Sequence, residues 1–165
     1  MTLYIVRHAS AGESKKDPAK DAKRALDRSG IAQAMHMGRV LANLETQLDA
    51  VLTSPLKRAA QTAALVANEM GFEGKLRPEP ALAPDGSYAA FQQLLARNAG
   101  HEAVLVVGHN PNLSLFLGRL VAGPGAPARI ELRKGAAARV RAQPGQAGAV
   151  LEWLLTPKVV VNAKL

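Results

Sequence analysis

The chain of 165 residues contains no cysteine. This excludes disulfides, thiolate nucleophiles and Cys-ligated zinc. Aromatic residues are only 4% of the total, too few rings to stack on bases, so a net charge of +8 does not by itself point to nucleic acid. No apolar run approaches the roughly 20 residues that a membrane span requires, and no membrane partner is expected. The N-terminus lacks the charged, apolar and small-residue succession of a signal peptide, because strand character begins at Thr2 or Leu3. The default expectation is therefore a cytoplasmic chain. No carboxylate cluster or motif suggests a metal, and no cofactor is expected.

The length suffices for a core that needs no staples, so the expectation is a single domain over residues 1–165. Charge is unevenly distributed. Residues 1–118 hold 13 Lys/Arg and 11 Asp/Glu, whereas residues 119–165 hold 8 against Glu131 and Glu152 only. Such a tilt favours an anionic substrate or an acidic partner protein.

Leu3-Tyr4-Ile5-Val6 reads as a strand buried on both faces, as in the middle of a parallel sheet. It runs directly into Arg7 and His8, a cation and an imidazole at the carboxyl end of a central strand, where open α/β sheets hold ligands. The charged stretch from Ser10 to Ser29 is expected to be a loop or a short frayed helix. Ile31 to Leu44 then forms a helix capped by Ser29, with Met35, Met37, Val40, Leu41 and Leu44 inward.

Asp49 to Thr53 is the second strand. Ser54 and Pro55 fit the cap and first position of a helix running to about Met70, which puts Lys57 and Arg58 in its first turn. Cations at that end make sense if an anion is bound there. Lys75 to Leu82 reads as a Pro-interrupted edge strand, Leu82 to Ser87 as a turn with Asp85 at its tip, and Tyr88 to Asn98 as a helix. Ala103 to Val107 is again apolar on both faces and ends in Gly108-His109-Asn110-Pro111, with Asn110 and Pro111 repeating the cap-and-proline layout. Ile130 to Leu132, Ala136 to Ala142 and Ala149 to Leu155 read as closing strands, and Asn162 to Leu165 as a tail. The sum is a three-layer α/β/α fold, its central sheet mostly parallel with helices on both faces.

These strands bring Arg7, His8, Arg58 and His109 to one edge of the sheet. Two guanidinium groups and two imidazoles form a receptor for a tetrahedral dianion, with arginine supplying the charge that a metal supplies elsewhere. One imidazole can then attack phosphorus, giving a phosphohistidine that water cleaves.

Leu3-Tyr4-Ile5-Val6-Arg7-His8-Ala9 resembles the Arg-His-Gly signature of the histidine phosphatase superfamily, whose fold is phosphoglycerate mutase-like. Ser54-Pro55-Leu56-Lys57-Arg58-Ala59-Ala60-Gln61-Thr62 is similar to its second motif, and Gly108-His109-Asn110-Pro111 to its third. The resemblance implies His8 as the phosphorylated nucleophile, Arg7 and Arg58 as the phosphoryl clamp, and His109 as the group completing the pocket. It implies an accessory role for Arg24. Ala9 replaces the usual glycine, and no counterpart of the mutase proton-donor glutamate is evident; Asp85 is the better candidate acid, Glu79 the other.

Within the superfamily the length and the Leu82-to-Gly86 turn resemble the SixA phosphohistidine phosphatase branch. The implied activity is hydrolysis of phosphohistidine on a partner protein, such as a phosphotransfer domain or a phosphotransferase component. The alternatives are a phosphatase of small phosphomonoesters and a non-catalytic phosphoprotein-binding module. A missing acid costs an ester on the order of 10²–10⁴ in rate, and a phosphoramidate less, because imidazole leaves more readily than an alkoxide.

Overall fold

The computed structural model describes residues 1–44, 47–123, 125–143 and 148–158; the tail expected over 162–165 lies outside them. Its strands are β1 (Thr2–Arg7), β2 (Ala50–Thr53), β3 (Arg77–Pro78), β4 (Ala103–Gly108), β5 (Ala137–Arg141) and β6 (Val150–Leu155). They form one mixed sheet in the order β3-β2-β4-β1-β5-β6. β3, β2, β4 and β1 are mutually parallel, whereas β5 runs antiparallel to β1 and β6 antiparallel to β5.

The apolar runs of β1 and β4 are explained by their place in the middle. Leu3 and Ile5 face one layer with α4 (Tyr88–Arg97) and α5 (Asn112–Ala122); Tyr4 and Val6 face the other with α2 (Arg28–Leu44) and α3 (Lys57–Glu69). Both faces are dry, so neither strand alternates with polar residues. Each such buried aliphatic side chain contributes about 1.5–3 kcal/mol. The edge differs. Glu152 on β6 pairs with both Arg139 and Arg141 of β5.

Register sets the site. Arg7 lies opposite Gly108 and Thr53 opposite Val107, so the strand ends are level. His8, Ser54 and His109, the residues next in sequence, therefore emerge at the same carboxyl edge.

Several local expectations give way to tertiary partners. α2 begins at Arg28 and its cap is Asp27, whose carboxylate accepts from Gly30 N at 2.7 Å, not Ser29. Leu44, the last residue of α2, is 50% exposed, although Leu41 one turn earlier is fully buried. α3 starts at Lys57 after Leu56, two residues beyond the expected Pro55, since Ser54 is drawn to His109. α5 starts at Asn112, and Asn110 instead donates to Leu132 O and accepts from Ser114 Oγ. The expected strand over Ile130 to Leu132 does not form; its backbone at Leu132 serves side chains instead. The edge strand is confined to Arg77–Pro78, with a 3₁₀ turn at Pro80–Leu82. The charged loop contains the short helix α1 (Pro18–Ala22), capped by Asp17. Among the described residues no helix is long and apolar enough to cross a membrane.

Candidate active site

His8 sits just past the end of β1, 6% exposed. Its Nδ1 lies 2.8 Å from the carbonyl oxygen of Ala9. A carbonyl can only accept, so Nδ1 carries the proton and Nε2 is left with a bare lone pair. Burial first, then the positive charges of Arg58, Arg7 and Lys134, holds the imidazole pKa down at about 4, against an opposing pull from the Ala9 carbonyl. The ring is neutral at working pH.

The backbone around it is pinned from both sides. Ala9 N donates to Thr62 Oγ1 at 3.1 Å, and that hydroxyl donates to Arg58 O at 2.7 Å. Gln61 Oε1 accepts from Leu26 N at 2.8 Å. The Gln-Thr pair of the second motif is thus a fastener between α3 and the loop that follows β1. Gly30 packs so closely on this loop that a Cβ there would lie 1.9 Å from Ser10 O.

His109 is 3% exposed, and its ring centroid lies 4.9 Å from that of His8, the planes tilted by 53°. Its Nε2 is 2.8 Å from Ser54 Oγ, while Nδ1 is buried with no partner. Burial, with His8 and the two arginines, lowers its pKa to about 3.

Arg7 donates from one terminal nitrogen to Leu132 O at 3.0 Å; burial lowers its pKa and Glu131 opposes the shift. Arg58, 5% exposed, is held by Asp21 twice, through the backbone carbonyl at 2.9 Å and the carboxylate at 3.1 Å. Burial and then Arg24 lower the Arg58 pKa, and Asp21 counters them. The Nε atoms of both Arg7 and Arg58 are buried without hydrogen bonds. Buried polar atoms are rarely left unpaired. Here two guanidinium N–H groups and a nitrogen of the imidazole next to His8 are unpaired, an arrangement suited to a phosphoryl group.

Arg24 is placed differently from the clamp. It donates to Asp21, Ala11 O and Gly12 O at 2.9, 2.8 and 3.2 Å, holding the charged loop closed around α1. Asp21 is the residue the sequence reading missed; the Asp21–Arg24 spacing of three was the available signal. Glu79 pairs with Arg97 at 3.4 Å. Asp85 is exposed at the tip of its turn and makes no hydrogen bond or ion pair with the described residues. That turn is anchored beside the third motif, since Asn112 Nδ2 donates to Pro84 O and Gly86 O, both at 2.8 Å. Among the described residues no group of three or more His, Cys, Asp or Glu is positioned to hold a metal ion.

Comparison with known proteins agrees with this geometry. The histidine phosphatase superfamily (branch 1) model matches residues 3–83, which carry the first two motifs. Phosphohistidine phosphatase SixA of Escherichia coli (strain K12) is 30% identical over 130 residues, covering 77% of this chain and 78% of that protein. An uncharacterised protein of Picosynechococcus sp. is 39% identical over 119 residues, 68% of each chain. The structure of the protein histidine phosphatase SixA complexed with tungstate superposes with a TM-score of 0.84 at 25% identity, over 97% of this chain and 99% of that one. The fold is thus the phosphoglycerate mutase-like α/β class, as expected from the motifs. The chain belongs to the histidine phosphatase superfamily, with SixA among its similar members, and this kinship supports phosphatase activity.

Proposed function

We propose that the chain hydrolyses phosphohistidine on a partner protein, with His8 as nucleophile. Nε2 of His8 attacks phosphorus as the P–N bond to the substrate imidazole breaks, and that imidazole leaves, taking its proton from water. Water then attacks phospho-His8, returning the free imidazole and inorganic phosphate. Arg7 and Arg58 bind the equatorial oxygens, and His109 donates to the transferring group. For that donation the Ser54 hydroxyl donates a hydrogen bond to Nε2 while accepting from Leu56 N at 3.3 Å, leaving the proton of His109 on Nδ1.

The observation that carries the reading is the lone pair on His8 Nε2, fixed by the Ala9 carbonyl. Phosphohistidine is favoured over an ester by the acids. Glu79 is engaged by Arg97, and Asp85 stands exposed without a partner to hold it, so neither is set as a strong proton donor. An imidazole leaving group tolerates that. Kinship with SixA points the same way.

The test is a substrate panel on the parent chain and His8→Ala. Phosphohistidine peptide should be turned over faster than sugar or nucleotide phosphates, and His8→Ala should lower the rate on the order of a thousandfold or more with its circular dichroism intact. Rapid quench should trap an acid-labile label on His8. Faster turnover of an ester would favour the small-molecule reading. Undiminished rate in His8→Ala would sink the mechanism.

A further inference from the structure

We propose that a split collar of unpaired cations around the mouth of the site docks an acidic face of the phosphohistidine-bearing partner, an inference that rests on the proposed function. One half is α1 and the loop before it. Asp21 of α1 grips Arg58, which puts this short helix at the rim of the pocket. The lysines on either side of Asp21, Lys20 and Lys23, are exposed, as are Lys15 and Lys16.

The other half is Arg133 and Lys134. Gly135 N donates to the carbonyls of Arg7 and His8 at 3.1 and 3.2 Å, so these two exposed cations flank the nucleophile from the opposite side. The ammonium of Lys134 is close enough for its field to act on both His8 and Asp27.

The acids nearest these cations are mostly engaged elsewhere. On the α1 side, Asp17 caps the helix, Asp21 holds Arg24 and Arg58, and Asp27 binds Ser10, Gly12 and Gly30. On the far side, Glu152 takes Arg139 and Arg141, and Arg141 lies opposite Thr2, at the other end of the sheet from the site. None of the six collar cations has an ion-pair partner among the described residues; Glu13 and Glu131 are the exposed acids left on these two loops without a hydrogen bond or ion pair. Six exposed cations against two exposed acids leave a positive excess around a buried dianion site, which attracts a partner of opposite sign and orients its phosphorylated side chain inward. A small phosphate compound gains from the pocket alone.

The experiment uses three synthetic peptides with one phosphohistidine each, flanked by Asp/Glu, by Ser/Gln or by Lys/Arg. At low salt the acidic peptide should exceed the neutral one in kcat/KM by about tenfold. The ratio should fall toward one as salt shortens the screening length from about 30 Å to about 8 Å. Lys20→Glu with Lys23→Glu, or Arg133→Glu with Lys134→Glu, should bring the ratio to one or below. Anisotropy measurements of the same peptides on His8→Ala should show the same order of binding. Equal kcat/KM for the three peptides, or a ratio untouched by both charge reversals, overturns the collar. If no peptide is turned over, the proposed function fails, and the binding order alone decides whether the collar stands.

Discussion

Asp21 and Arg58, separated by 37 positions, are joined by two contacts, from the Arg58 guanidinium to the backbone carbonyl at 2.9 Å and to the carboxylate at 3.1 Å. The loop after β1 thereby orients a guanidinium that belongs to α3. Lys15 N, then Arg24, holds the Asp21 carboxyl at about 2, so it is ionised wherever the protein is folded at ordinary pH. Asp21→Asn should raise KM for a phosphohistidine peptide about twofold to fivefold, the range of a partly exposed pair. The depressed pKa fixes the sign in stability. The contribution is complete above the ordinary carboxyl value near 4 and is lost as pH falls through about 2. Urea midpoints of the parent and the variant should differ at pH 5 and converge near pH 2; a gap that persists there contradicts the pairing.

His8 and His109 should show no protonation across the range in which a free imidazole titrates, because their pKa values are lowered to about 4 and about 3. The unfolded chain takes up these protons near 6.5 and the folded one does not. Stability therefore declines as pH drops from about 6.5 toward 4. Imidazole NMR signals of the unliganded protein should stay at neutral-form positions from about pH 8 to 5.5. A midpoint near 6.5 for either ring would refute the desolvated pocket.

Thr62→Val keeps the shape of the side chain and removes the hydroxyl between Ala9 N and Arg58 O. A buried N–H is left without an acceptor, at a cost of about 1–3 kcal/mol. Urea unfolding should show that loss, and turnover should fall as well, since Ala9 also carries the carbonyl that sets the His8 tautomer. Unchanged stability would mean that Ala9 N finds another acceptor.

Asp85→Ala tests whether this exposed carboxyl supplies a proton. Phosphohistidine turnover and any alkyl-ester turnover should each change by less than about threefold, well short of the range of about 10²–10⁴ that general acid catalysis supplies. A hundredfold loss on phosphohistidine would show that the leaving imidazole does need Asp85.

The sequence alone was enough for the central strands and for the polar residues at their ends, though not for the strand expected over Ile130 to Leu132. Leu3 to Val6 and Ala103 to Val107 are apolar without interruption because both faces are covered, and each runs straight into its site residues. Those signals are local, carried by neighbours in the chain. What only the tertiary structure decided is how the side chains are held: Asp21 on Arg58, Thr62 under Ala9, Ser54 on His109, and Asp27 in place of Ser29 at the head of α2. A hydroxyl or carboxylate takes the donor that folding brings near, and the first three of these contacts span 37, 53 and 55 positions. The exposed collar cations follow the same rule, since charge counts cannot say which arginines a distant glutamate has neutralised until the strands are in register.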